Sequence, residues 1–226
     1  MKVQELYKRF LLMINKNDTN EGASIPVGNF VLLFNSEAQR WEGEELKKDE
    51  DNIDINMIQL LWVPDLDLGT PTKIGKEFIE YAVPEDYFQI YGTYSYASKG
   101  ECKQVKLSNY EKKPGNIIPI LQDGAAGPDF ELREAPFIVG SDAIRIYKEQ
   151  DYTIEQSFVN YYRLPKPIDM EGYTHFDGTE STNIDPELDD YSCVEILEKL
   201  AVEIARQTAD AERFQLDKDR TITNPN

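Results

Sequence analysis

The sequence predicts an α+β protein in which N- and C-terminal helices form a bundle and carry an inserted β-sandwich or small β-barrel. Three observations predict it. Apolar residues recur at three- and four-residue steps near both ends of the chain, the mark of amphipathic helices. Between those ends lie short β-prone runs broken by Pro and Gly. The length, 226 residues and 26.0 kDa, suits one substantial domain or a helical body with a smaller β-module. The organisation expected is N-terminal helices over 1–54, a β-rich insertion over 55–163, a connector loop and C-terminal helix over 164–216, and a polar tail over 217–226.

In Val3–Asn15 the apolar positions Val3, Leu6, Tyr7, Phe10, Leu11 and Ile14 make one helix face. Asn15–Ser24 is rich in Asn, Asp, Thr, Gly and Ser and reads as a loop. A second helix runs from Pro26 or Val27 to Lys48, with Pro26 suited to its first turn and Phe30, Val31, Phe34, Ala38 and Trp41 on its apolar face. An acidic linker follows to Asp54. Strand-length runs then come at Met57–Val63, Phe78–Val83, Phe88–Tyr96, Gln104–Leu107 and Ile117–Leu121, and again at Phe130–Leu132, Phe137–Val139, Ala143–Lys148 and Thr153–Arg163. Val83–Tyr87 reads as a helical turn. Pro165 and Pro167 favour an extended connector. After a polar loop to Ile184, Asp185 suits an N-cap with Pro186 at the first helical position, and the apolar pattern continues to Phe214. The polar residues 217–226 are expected to be mobile in the free chain.

Composition excludes several function classes. Acids outnumber bases by 42 to 24, for a net charge of −18, which disfavours gripping phosphates or anionic membrane surfaces. Hydrophobic residues make up 40% and charged residues 29%, too apolar for wholesale disorder. No apolar run approaches a bilayer span. The N-terminus is too polar for a signal peptide, so cytosolic synthesis is expected. With only Cys102 and Cys193, a disulfide framework is not expected.

Chemistry has few footholds. Among so many acids, neighbours such as Asp129/Glu131 and Asp189/Asp190 read as solvated faces. Asp65-Leu66-Asp67-Leu68-Gly69 and Asp177-Gly178-Thr179-Glu180-Ser181 are oxygen-rich but lack the full ligand pattern of a calcium loop, so turn chemistry is the simpler reading. No phosphate-cradling glycine loop, G-x-S-x-G elbow, H-E-x-x-H or C-x-x-C occurs. The single histidine, His175, reads as a loop residue. Tyr91, Thr93, Tyr94 and Tyr96 alternate in a region where Tyr and Phe concentrate; core or interface packing is the favoured reading, a stacking platform the other. Neither enzyme chemistry nor a cofactor or metal is expected.

Three segments carry a family resemblance. Ile25–Trp41, with Asn35, Ala38, Gln39 and Trp41, resembles the early helix of structural virion proteins from crAss-like tailed bacteriophages. Ser98-Lys99-Gly100-Glu101-Cys102 is the second. The third, Tyr161–Tyr173 followed by Asp177–Thr182 and the Asp185–Phe214 helix, resembles the neck, or head–tail connector, proteins of the same phages. The resemblance implies a non-enzymatic ring protein, a twelvefold homo-oligomer, that joins portal to tail. Its partners would be further copies of itself, the portal or an adjacent neck ring, and tail proteins. It would enclose double-stranded DNA without reading its sequence, in virions assembled in the host cytoplasm. A closed ring repeats one heterologous interface, and negative charge facing the lumen would let DNA slide.

The residues expected at oligomer or assembly interfaces are Phe30, Phe34, Trp41, Tyr173, His175, Leu197, Leu200, Ile204 and Phe214; the apolar ones serve equally as monomer core. The loop Met170–Ile184 and the tail are expected to order on assembly. The rivals are a tail or capsid module whose Tyr-rich β-region holds a glycan or protein partner, and a carboxylate-dependent hydrolase for which no acid pair stands out.

Overall fold

A computed structural model describes residues 1–15, 25–48, 58–122 and 127–223, without side-chain detail for 122 and 207–223. The chain divides into two compact units, one made of 1–60 with 165–226 and the other of 61–164.

The second unit is one eight-stranded mixed sheet. Its strands are β1 (Trp62–Asp67), β2 (Lys73–Ile74), β3 (Phe78–Ala82), β4 (Tyr87–Ser98), β5 (Val105–Glu111), β6 (Glu134–Val139), β7 (Ala143–Tyr147) and β8 (Thr153–Arg163), in the order β1-β8-β4-β5-β6-β7-β3-β2. All pairings are antiparallel except β5–β6. A parallel pair needs a crossover, and the β5–β6 connection supplies one that contains a short helix, α3 (Ile117–Gln122).

β4 and β8 are the long central strands. Their pairing shifts register at Tyr87/Gln89, Ile90/Gly92 and Tyr96/Ala97, and each irregularity adds bend and twist. The sheet therefore curls into a half-barrel. Alternate residues from β3 to β8, including Tyr81, Leu107, Phe137, Ile146, Val159 and Tyr161, fill its inner side. A polar seam runs through this core. Asn109 Nδ2 donates to Thr93 Oγ1 at 3.0 Å and to Ser95 Oγ at 2.9 Å, and Ser95 and Ser157 share a 2.9 Å hydroxyl bond. The outer strands are poor templates for further pairing: β2 has two residues, and β1 carries Pro64, a register shift and Asp65 at φ 48°.

The expected fold class is thus corrected. The sheet dominates, and the helices do not form an N- and C-terminal bundle around an inserted sandwich or closed small barrel. A sandwich needs two facing layers, whereas a single layer here curls until its two flanks bury the same side. Local readings change as well. Ile117–Leu121 is helical rather than extended, Phe130–Leu132 lies in a turn, and Trp62 begins its strand after a short 3₁₀ turn. Val83–Tyr87 closes as a β-turn, with Tyr87 N–H donating to Pro84 O.

In the first unit, α1 (Val3–Ile14) and α2 (Val27–Glu45) pack on the early part of α4 (Asp190–Thr223), and the irregular segment 165–189 fills the remainder. Phe30 lies at the centre, its ring 5.1 Å from both Tyr7 and Phe10 and 6.0 Å from Phe34. The expected Asp185 cap is misplaced. Asp189 caps α4, its carboxylate accepting from Ser192 N–H at 2.9 Å. Asp185 instead accepts from Val3 N–H at 2.8 Å and caps α1 from across the unit. α4 continues to Thr223, through most of the segment read as a polar tail.

Burial pushes the Cys193 thiol up to about 11, whereas Cys102 is exposed. Titration with an aromatic disulfide at pH 8 should therefore label one thiol in the folded chain and a second only after denaturation.

Candidate functional site

Among the described residues of the first unit, a set of interacting polar side chains surrounds Asp169. The segment entering it is extended because of Pro165 and Pro167, and α2 holds it. Asn35 donates to Ile168 O at 3.0 Å and accepts from Ile168 N–H at 2.8 Å, doing for this segment what a neighbouring strand would do. Ile168 is buried beneath that clamp. Asp169 and Ile184 then pair through both backbone groups, which closes the base of a loop.

Inside the base the Asp169 carboxylate, on a side chain 10% exposed, collects the loop. Oδ1 accepts from Met170 N–H at 2.9 Å and Tyr173 Oη–H at 2.8 Å. Oδ2 accepts from Thr182 N–H at 2.7 Å and lies 3.2 Å from His175 Nε2. Burial alone would raise this carboxyl's pKa, but the donors outweigh it and hold the group below its ordinary range. Burial, then Asp169, pushes the Tyr173 phenol up to about 12. The Tyr173 and His175 rings meet edge-on at 4.9 Å. A Cβ on Gly28 would come within 3.0 Å of the Tyr173 ring, so glycine lets the tyrosine lie on the start of α2.

Above the base the loop is a small hairpin. Thr174 pairs with Glu180, and Ser181 Oγ bonds Tyr173 O at 2.6 Å. Gly178 N–H donates to His175 O at 3.0 Å, which makes residues 175–178 a tight turn, and Gly178 takes φ 86°. Asp177 Oδ1 accepts from Thr179 N–H and Oγ1–H, an Asx turn that fixes the tip. The outcome is an internally bonded finger carrying Phe176 at 105% exposure.

The expected interface residues separate into three groups. Phe30, Phe34, Trp41, Leu197 and Leu200 are buried in the unit's own core, with Trp41 Nε1 donating to Glu195 at 3.1 Å. Ile204 is half-buried on α4, and the Phe214 side chain lies outside the described residues. Tyr173 and His175 meet at Asp169. The Ile25–Trp41 and Tyr161–Tyr173 segments touch directly through Asn35 and Ile168. Sequence reading missed Asp169, Asn35 and Phe176. A signal existed for the last: an aromatic immediately before Asp-Gly in a polar loop has no helix or strand face to bury it.

The Tyr-rich region forms a second surface, the outer face of β4, β5 and β8. Tyr94 stacks on Phe158 at 5.0 Å and 14°, and Tyr96 meets both rings edge-on. Lys106 Nζ stands 3.5 Å from the Tyr94 ring centre, and Lys112 Nζ 5.0 Å from that of Tyr110. Residues 99–113 hold five lysines and two glutamates, a local positive excess in an acidic chain.

The two oxygen-rich runs act as turns. Asp67 Oδ1 accepts from Gly69 N–H, Oδ2 accepts from Gln156, and Asp177 closes the finger tip. Among the described residues no three His, Cys, Asp or Glu side chains gather as metal ligands, and no helix is long and apolar enough to cross a membrane. No family model matches the sequence, and no curated protein matches it.

Trp41→Ala should cost about 3–5 kcal/mol of folding stability in denaturant titrations, because it empties a core site. Asp169→Asn should cost about 2 kcal/mol at pH 7, since at least one buried donor loses its acceptor. The pKa of Asp169 is depressed in the folded chain, so its contribution is present above the unfolded value near 4 and fades as pH falls through the lower folded value. The gap in melting temperature between wild type and Asp169→Asn should therefore narrow from pH 5 to pH 3. A constant gap would remove the carboxylate from the account.

Proposed function

We propose that the chain is a structural virion protein that forms an oligomeric ring in a phage neck, joins the portal to the tail and surrounds the DNA channel. The observation that carries this reading is the finger. The segment bearing the resemblance to connector proteins uses its polar groups on one another, through Asp169, and offers Phe176 outward. That is the construction of a contact element: a fixed base, a short hairpin and an apolar tip. A pre-shaped loop loses little freedom on docking, which favours repeated contacts around a ring. The charge of −18 supports the channel role, since an acidic wall repels phosphates. The ring is proposed to be twelvefold, with the portal or a neighbouring neck ring and tail proteins as its other partners.

A second reading draws on the outer sheet face. Half-buried Tyr94, Tyr96 and Phe158 form a stacking surface of the kind that holds a glycan or a partner, as a tail or capsid module would.

Native mass spectrometry of the chain alone, and mixed with the portal of the same virus, separates the two. The ring reading predicts a closed oligomer in at least one sample. A monomer in both, together with a hit on a glycan array, would favour the module.

A further inference from the structure

Two surfaces of this chain complement each other. The finger, residues 170–184, holds Glu171, Asp177 and Glu180 and no Lys or Arg, with Phe176 fully exposed at its tip. The outer face of β4, β5 and β8 offers the opposite: a cluster of Tyr94, Tyr96 and Phe158 with exposed Lys106 over the Tyr94 ring and half-buried Lys112 by Tyr110, while exposed Lys103 and Lys113 flank β5 in the sequence. None of these four lysines pairs with a carboxylate among the described residues. The β1 side of the face keeps the charge of Asp67, so the basic surface is confined to the β5 side. Asp67 Oδ1 accepts from Gly69 N–H and Oδ2 from Gln156 Nε2.

We propose that the finger of one copy docks on the outer β4–β5–β8 face of the next copy, with Phe176 packing on the Tyr94–Tyr96–Phe158 cluster and Asp177 and Glu180 facing Lys106 and Lys112. This rests on the ring reading and names its lateral contact. Charge complementarity selects the occupant: between two copies of a chain of net charge −18, contact is electrostatically favourable where an acidic surface faces a basic one, and Lys106 on β5 with Lys112 just after it supplies the basic one. The contact joins two different surfaces, so it is heterologous and propagates from copy to copy until the rotation closes.

The test uses two full-length variants, Asp177→Asn/Glu180→Lys and Lys106→Glu/Lys112→Glu, read by native mass. Asn at 177 keeps the acceptor that closes the turn, and melting temperatures within about 3 °C of wild type confirm folding. The expected result is that each variant alone loses the oligomer and that an equimolar mixture regains it as an alternating ring. Phe176→Ser, at a wholly exposed position, should lose the oligomer and not be rescued by mixing. Variants that assemble like wild type would overturn the docking assignment while leaving the ring reading intact. So would a lysine variant whose sole defect is lost retention of duplex DNA, which would give the face to nucleic acid. A wild-type chain that stays monomeric alone and on the portal would overturn both.

Discussion

The first unit depends on one buried carboxylate. Asp169 gathers two backbone N–H groups, a phenol and an imidazole that lie within thirteen residues of it, and it does so at a site nearly closed to water. An ionised group in such a place is costly unless it is fully bonded. The donors therefore cannot drift away singly, and the loop they belong to keeps one shape. Asn35 extends the constraint into α2, and Gly28 lets the Tyr173 ring lie directly on the helix. The finger is tied to the helical core through the Asn35 and Tyr173 side chains.

This rigidity alters how an assembly contact would work. A polar loop that folds on binding loses conformational entropy at that moment; a preformed one has already lost it. The segment read as a loop that orders on assembly is instead bonded within the single chain, and its apolar tip is presented at no further folding cost. The apolar helix residues expected at the interface, Phe30, Phe34, Trp41, Leu197 and Leu200, are occupied in the core. Among the described residues, the finger and the aromatic, lysine-bearing side of the sheet both present exposed or half-exposed aromatic rings.

Much of the helical secondary structure was legible. α1, α2 and α4 each bury one face, and that requirement writes the 3.6-residue period into Val3–Phe10, Phe30–Trp41 and Cys193–Leu200. β8 was legible to the residue, because Thr153–Arg163 is a long run of β-branched and aromatic residues without Pro or Gly. The fold class was not. Curl arises from register shifts around Gly92 and from the parallel crossover into β6, which are pairing facts between distant segments. Ile117–Leu121 has strand-like composition, yet it follows Pro114 inside that crossover and closes as a helix. Asp185-Pro186 matched a cap pattern, but α1 claimed the carboxylate. Asp169 was hidden for the same reason: among 42 acids, only the structure shows which one is surrounded by donors.

Amide hydrogen exchange on the free, full-length chain tests the preformed finger most directly. The account predicts protection at Thr182 N–H, bonded to Asp169 Oδ2, at His175 N–H, bonded to Thr179 O, and at Ile184 N–H, bonded to Asp169 O, well above the rates of an unstructured peptide. Exchange of all three at peptide rates, with α2 still protected, would contradict it.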